Sequence, residues 1–250
     1  MRSYDVFLID ADGTLFDFEL AEATAFRSVF EGYGFRYSEE VLKLYSSIND
    51  KLWKSFEVGG ISIEGIKTQR FIRLFDEIGI ECDACDFNEK YVVELGKCAF
   101  LIDGARDVCE KLSVSGKSVY IVTNGITQVQ RARLSSSLIK DYVSDCFISE
   151  LIGFQKPDVR FFEYVLKNIP KTGKDRILMV GDSLTADITG GNNAGIDTCW
   201  FNEKKAENLT QVKPTYEINR LSELVSRGRV CLLSRGRGFD NKLVVKPPSP

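Results

Sequence analysis

The stretch Val6-Phe-Leu-Ile-Asp10-Ala-Asp-Gly-Thr14 decides how the rest of this 250-residue chain is read. Four apolar residues stand in a row without alternation, the pattern of a strand covered on both faces of a parallel sheet. The run stops on Asp-x-Asp, and similar arrangements recur downstream. Val119–Val122 leads into Thr123-Asn-Gly, and Ile177–Val180 leads into Gly181-Asp182. Asp197–Phe201 is a fourth run and Cys146–Ser149 a fifth. Between them lie helical patterns at Gly104–Leu112, Thr127–Leu134, Val159–Asn168 and Thr185–Ala194. Strands alternating with helices predict an α/β fold, a doubly wound, parallel, Rossmann-like sheet.

Residues 17–97 break that rhythm. They read as amphipathic helices over Phe18–Tyr33, Ser38–Phe56, Ser62–Ile78 and Phe87–Leu95, with Ser38 and Ser62 as starts and Gly34 and Gly79 as stops. A helical block inserted directly after the first strand predicts a cap over the sheet's C-terminal edge, where ligands bind in open α/β sheets. The expected division is a core of 1–16 plus 98–225, a helical cap of 17–97, and a flexible tail of 226–250. That tail carries six Lys or Arg against one Asp, whereas the whole chain has a net charge of −3.

The chain contains no histidine. Ser–His–Asp hydrolysis, Cys–His chemistry and His-ligated zinc are therefore excluded, and acid–base work falls to other side chains. Mild acidity argues against nucleic acid as a partner. Seven cysteines, an odd number, do not form a disulfide framework. The Cys82-x-x-Cys85 pair, in a charged connector without a second pair at zinc spacing, reads as two reduced thiols. The start has no basic leader, and no apolar run reaches the ~20 residues of a membrane span, so a cytoplasmic protein without membrane contact is expected. Two glycine–lysine stretches, around Gly60–Thr68 and Ser115–Ser118, lack the spacing or the strand–helix setting of a phosphate-binding loop.

The chemistry gathers at the strand ends. Parallel strands bring Asp10, Asp12, Asp182 and Asp187 to one edge, where converging anions need a cation among them. Hard oxygen donors without imidazole favour Mg²⁺. Thr123-Asn124 after another strand and Lys156 in Phe-Gln-Lys-Pro-Asp158 are equipment for holding phosphate oxygens. A carboxylate that attacks phosphorus has no use for imidazole.

The ordered set Asp-x-Asp, Thr-Asn, Lys-Pro and Gly-Asp-x₄-Asp resembles the four motifs of the haloacid dehalogenase-like superfamily over residues 4 to 225. The resemblance implies Asp10 as nucleophile and Asp12 as the acid, then base, of the reaction. It implies Thr123 and Asn124 on the phosphoryl oxygens, with Lys156 pairing both Asp10 and the phosphate. Mg²⁺ would be held by Asp10, by Asp12 through its backbone carbonyl, and by Asp182, with Asp187 supporting the metal's water shell or orienting Lys156. Asp12 discriminates within the superfamily, because dehalogenases expel halide, need no leaving-group acid and typically lack this residue.

Asp10–Phe18 (DADGTLFDF), Ile48–Trp53 (INDKLW), Gln69–Phe71 (QRF) and Leu178–Asn202 (LMVGDSLTADITGGNNAGIDTCWFN) are similar to the cytosolic pyrimidine 5′-nucleotidase subgroup. The chain departs from that subgroup at Gly13, where Asp or Glu is frequent, at Ile102, where a Pro is usual, and in the tail after Val225. The expected activity is Mg²⁺-dependent hydrolysis of small phosphomonoesters, foremost nucleoside 5′-monophosphates. Alternatives are a sugar-phosphate phosphatase or phosphomutase and, in another class, a non-catalytic binding module with a basic tail. In the cap, Trp53, Phe56 and Phe71 are candidates to stack a base, and Asn49 or Arg70 to bond its edge or ribose.

Overall fold

The two faces of β1 (Val6–Ile9) are covered by different parts of the chain, as its unbroken apolar run requires. The computed structural model describes residues 3–225. After β1 come four helices, α1 (Phe18–Gly32), α2 (Glu39–Glu57), α3 (Ile63–Ile78) and α4 (Ala84–Lys97). The chain then runs α5 (Ala105–Val114), β2 (Ser118–Thr123), α6 (Thr127–Ser136), β3 (Asp145–Ile148), the short α7 (Ser149–Ile152) and α8 (Val159–Asn168). It continues with β4 (Ile177–Gly181), α9 (Thr189–Ala194), β5 (Asp197–Phe201) and β6 (Tyr216–Ile218).

All strands are parallel, in the order β3-β2-β1-β4-β5-β6. The order in which strands are added to the sheet reverses between β1 and β4, and ligands bind at the crevice such a switch opens at the strands' C-terminal ends. Register aligns Ile9 with Ile121 on one side and Val180 on the other, so the residues following β1, β2 and β4 share that edge. Phe7, Ile9, Val119, Ile121, Leu178 and Val180 pack under α5 and Leu221–Val225. Val6, Leu8, Tyr120, Ile177 and Met179 pack against Phe161, Phe162 and Val165 of α8.

The chain leaves the sheet at Phe16 and returns at Leu101. The two passes lie side by side, with Asp17 N–H donating to the Phe100 carbonyl (3.0 Å) and Ile102 N–H to the Leu15 carbonyl (3.0 Å). Helices α1–α4 form their own apolar cluster around Phe26, Tyr45, Phe71, Phe87 and Tyr91, and it extends to Ile126 and Val129 beside α6. Ser38 and Ser62 cap α2 and α3 as the sequence predicts, accepting from Val41 and Gly65.

Three local features differ from the sequence expectation. Asp83 accepts from Cys85 N (2.8 Å) and Asp86 N (3.1 Å), so α4 begins at Ala84 and Cys85 lies in its first turn rather than in a connector. The helix expected over Thr185–Ala194 splits into a wide turn at Leu184–Ile188 followed by α9. The three-residue strand β6 is too short to leave a hydrophobic pattern. Among the described residues no helix is long and apolar enough to cross a membrane. The basic stretch 226–250 lies outside the described residues.

A polar network is buried within the helical block. Ser46 and Asn49 donate to the two carboxylate oxygens of Glu22 at 2.5 and 2.9 Å. Burial pushes the Glu22 carboxyl up to about 7, against the pull of those two donors and of Arg70. In the unfolded chain this group ionises near its ordinary 4.5. The folded state therefore holds a proton that the unfolded state has lost, and Glu22's contribution to stability disappears as pH rises through 7. Glu22→Gln removes this dependence. Its unfolding free energy relative to wild type is expected to rise by up to about 3 kcal/mol between pH 5 and pH 8. Urea titrations at the two pH values measure this, and a difference that stays constant across the window rejects the assignment to Glu22.

Candidate active site

The edge formed by the ends of β1, β2 and β4 opens into a cleft of about 340 Å³, roofed by α2. Asp10, Asp12, Thr123, Asn124, Lys156, Asp182 and Asp187, the seven residues singled out from sequence, all line it.

Asp10 follows β1 and is fixed by its backbone N–H, which donates to the Val180 carbonyl at 2.9 Å. Its carboxylate meets the Lys156 ammonium at 2.5 Å. Lys156 is almost wholly buried, and its three N–H groups go to Asp10, to Asp187 (2.7 Å) and to the Val122 carbonyl (2.8 Å). Burial would lower the ammonium's pKa, but the carboxylates of Asp10 and Asp187 overcome this and hold it above its ordinary value. Burial raises Asp10 well above the usual carboxylate range against the pull of Lys156, with Asp187, Asp182 and Asp12 pushing the same way.

The other strand ends hold this pair in place. Asn124 accepts from the Lys156 N–H (2.8 Å) and donates to the Lys156 carbonyl (2.9 Å). Its side chain thus braces the lysine's backbone. The Thr123 hydroxyl accepts from Gly125 N–H at 3.0 Å, which turns the chain after β2. Asp187 also accepts from Ser183 N–H (3.1 Å), which ties the wide turn after β4 to the lysine. Asp182 accepts from the Thr14 hydroxyl at 3.3 Å. Burial of its carboxylate, with Asp187 nearby, raises its pKa to about 7 against the pull of Lys156.

A divalent cation fits this edge. One carboxylate oxygen from each of Asp10, Asp182 and Asp187 lies within 4.8 Å of the others. Four carboxylates against the cations Lys156 and Arg133 leave a formal charge of −2. Hard oxygen donors carrying that surplus suit Mg²⁺. Gly13, at φ +80°, makes room beside them, since a Cβ there would stand 2.7 Å from Asp182 Oδ2.

The cap candidates divide. Trp53 lines the cleft, but Phe56, Phe71, Asn49 and Arg70 are buried inside the helical block. On α2 the positions Tyr45, Asn49, Leu52 and Phe56 form the inward stripe, Asn49 is bonded to Glu22, and Arg70 on α3 is bonded to Asn88 (2.6 Å). These four are packing residues. The face turned to the cleft is Asp50, Trp53, Lys54 and Glu57, with Phe18 from α1. The i, i+3, i+4, i+7 spacing on α2 was the available signal for it. Glu57 also accepts from the Thr185 hydroxyl (2.7 Å), a contact between the cap and the turn after β4.

Sequence reasoning also missed Gln130 and Arg133, two buried polar residues on α6 that contact Asp12. Polar side chains at i and i+3 beside the apolar Val129 were their only mark.

The model of the haloacid dehalogenase-like hydrolase family matches residues 4–195. The HAD-hydrolase YfnB of Bacillus subtilis is 41% identical over 224 residues, covering 90% of this chain and 95% of YfnB. Pyrimidine 5′-nucleotidase PynA of Streptococcus pneumoniae is 39% identical over 222 residues, covering 89% of this chain and 94% of PynA. Pyrimidine 5′-nucleotidase YjjG of Escherichia coli is 30% identical over 221 residues, covering 88% and 96%. A crystal structure of YfnB bound to magnesium superposes with a TM-score of 0.83 at 40% identity, covering 89% of this chain and 97% of that one.

Proposed function

The chain belongs to the haloacid dehalogenase-like hydrolase family, and from that premise we propose that it is a Mg²⁺-dependent phosphatase of pyrimidine nucleoside 5′-monophosphates. The carrying observation is the pair of carboxylates on one short turn. Asp10 is buried against Lys156 at 2.5 Å, while Asp12, two residues on, lines the same cleft and keeps a quarter of its side chain exposed. One carboxylate serves as nucleophile and the other carries the proton, a division that an enzyme attacking carbon and expelling halide does not need.

In this reading Asp10 attacks phosphorus, the bond from phosphorus to the leaving oxygen breaks, and Asp12 protonates that oxygen. Asp12 then takes a proton from water as the water attacks the aspartyl-phosphate, releasing inorganic phosphate and restoring Asp10. Lys156 holds Asp10 in line, and Thr123 and Asn124 shape the loop on which the phosphoryl group rests. Asp10, Asp182 and the Asp12 backbone carbonyl are the proposed Mg²⁺ ligands, with Asp187 supporting them; bound Mg²⁺ offsets charge on the transferring phosphoryl group.

The pyrimidine assignment rests on PynA and YjjG, both named pyrimidine 5′-nucleotidases, and on the cap face. Trp53 and Phe18 offer an aromatic surface for a base, and Asp50, Lys54 and Glu57 offer polar groups around it. The division into core (1–16 plus 98–225) and cap (17–97) belongs to the same proposal, supported by the separate apolar cluster of α1–α4. So does a cytoplasmic setting, which suits the six free cysteines among the described residues.

The test is phosphate release from dUMP, dTMP, UMP, AMP and a set of sugar phosphates, with Mg²⁺ and with EDTA. The expected result is kcat/KM at least about tenfold higher on a pyrimidine nucleotide than on any sugar phosphate, an advantage of roughly 1.4 kcal/mol. EDTA is expected to abolish release and excess Mg²⁺ to restore it. A preference for sugar phosphates overturns the nucleotidase reading and leaves the hydrolytic one standing. Turnover that survives EDTA removes the metal from it.

A further inference from the structure

Helix α6 directs two polar side chains into the protein, and both end on Asp12. Gln130 and Arg133 are 2% and 1% exposed. Gln130 Nε2 donates to Asp12 Oδ2 at 2.5 Å, and Arg133 Nη2 stands 2.6 Å from Oδ1. The second contact is an ion pair whose angle falls outside hydrogen-bond geometry, since Oδ1 has no hydrogen-bond partner among the described residues. Each carboxylate oxygen thus faces its own donor, both donors from one helix.

The surroundings are built for this grip. A Cβ on Gly125 would stand 2.1 Å from Gln130 Nε2, so only glycine leaves room for the amide to reach Asp12. Arg133 lies over the Phe16 ring, 5.2 Å from its centroid, and its Nε and Nη1 have no acceptor among the described residues. A guanidinium this deeply buried is costly unless an anion faces it. Asp12 is the carboxylate it meets.

We propose that Gln130 and Arg133 are positioning residues for Asp12. They orient its carboxylate from the α6 side, so that the remaining lone pairs face the cleft where a leaving-group oxygen would sit. The inference rests on the reading of Asp12 as the group that carries the proton. A carboxylate pivoting on a short turn would spend much of its time misaimed, and misplacement by about 1 Å can lower a rate some 10²-fold.

The experiment compares kcat/KM, which reports the steps up to phosphorus–oxygen cleavage, on two substrates. One is the best nucleoside monophosphate of the panel, whose alkoxide must be protonated as it leaves. The other is p-nitrophenyl phosphate, whose phenolate leaves without that help. Asp12→Asn sets the scale, with an expected loss of roughly 10²–10⁴-fold on the nucleotide and a much smaller one on the aryl ester. Gln130→Leu and Arg133→Lys are expected to show the same selectivity, losing about 10- to 100-fold on the nucleotide and less than about 3-fold on the aryl ester. Adding Gln130→Leu to Asp12→Asn is expected to cost nothing further on the nucleotide.

A purely structural role would lower both substrates together, because it changes only the fraction of active enzyme. Equal losses in Gln130→Leu, alongside a selective loss in Asp12→Asn, overturn the positioning role alone. If Asp12→Asn itself shows no selectivity, the assignment of the proton to Asp12 is wrong and the inference goes with it. Should Arg133→Lys fail to fold, Gln130→Leu, neutral for neutral and similar in size, decides the matter.

Discussion

Asp10→Asn is expected to lose phosphatase turnover by roughly 10⁴-fold or more while keeping its fold and melting no lower than wild type. The loss follows from chemistry, since an amide oxygen is too weak a nucleophile for phosphorus and no covalent phosphoryl group should then be trapped on acid quench. Preserved folding follows from the surroundings. Asn has nearly the same volume, its backbone N–H still reaches Val180, and its side-chain oxygen can accept from Lys156. Stability is expected to hold because burial and the neighbouring Asp187, Asp182 and Asp12 all disfavour the native anion. Removing one of several crowded carboxylates relieves that repulsion, while Lys156 retains Asp187 at 2.7 Å as its anionic partner. Activity bought with local instability is common at active sites. Melting in metal-free buffer and a single-turnover assay test the two halves separately. Retained turnover removes Asp10 as nucleophile; a sharply lower melting point shows that its charge holds the native state together.

Burial and position along the chain decide which parts of the molecule are legible in its sequence. Strands β1, β2, β4 and β5 announced themselves because each is buried on both faces and needs an unbroken apolar run, whereas β6 contributes three residues and leaves no such trace. Asp10, Asp12, Asp182 and Asp187 were legible because they sit at fixed offsets from strand ends, so topology alone brings them together. Gln130 and Arg133 were not, because their partner Asp12 lies more than a hundred residues away and a helix pattern says nothing about what faces it. The cap failed in a different way. Phe56, Phe71, Asn49 and Arg70 have the right chemistry for a base, but a step of one residue, about 100° of helix rotation, separates cleft-facing Asp50 and Glu57 from core Asn49 and Phe56. Asn49 and Arg70 are polar yet buried, the Asn49 amide donating to Glu22 and the Arg70 guanidinium to Asn88 inside the cluster, pairings that each span two helices.

Lys156→Met makes the opposite prediction to Asp10→Asn, because it removes the cation rather than an anion. Methionine fills a similar volume, so packing changes little, but the Asp10, Asp182 and Asp187 carboxylates are left near one another with no ammonium among them. Breaking a buried ion pair by deleting one partner typically costs about 3–5 kcal/mol, and turnover is expected to fall at least roughly 10³-fold as Asp10 loses its alignment. The pH dependence has a definite sign. Without Lys156 the folded-state pKa values of Asp10 and Asp182, already raised by burial, move further up. The folded state then binds protons that the unfolded carboxylates have released, so the variant loses stability as pH rises above the ordinary carboxylate range. The deficit against wild type should therefore be larger at pH 8 than at pH 5.5, and urea midpoints at the two values measure it. A deficit that shrinks with rising pH contradicts the account of Lys156 as the counter-charge of this edge. Lys156→Arg adds a discriminating control. It restores the charge, and with it part of the stability at pH 8, but a planar guanidinium does not reproduce three diverging donors aimed at Asp10, Asp187 and the Val122 carbonyl. Recovery of stability without recovery of turnover is the expected pattern. Full recovery of both by arginine means that charge alone, rather than the three-way placement, is what this position supplies.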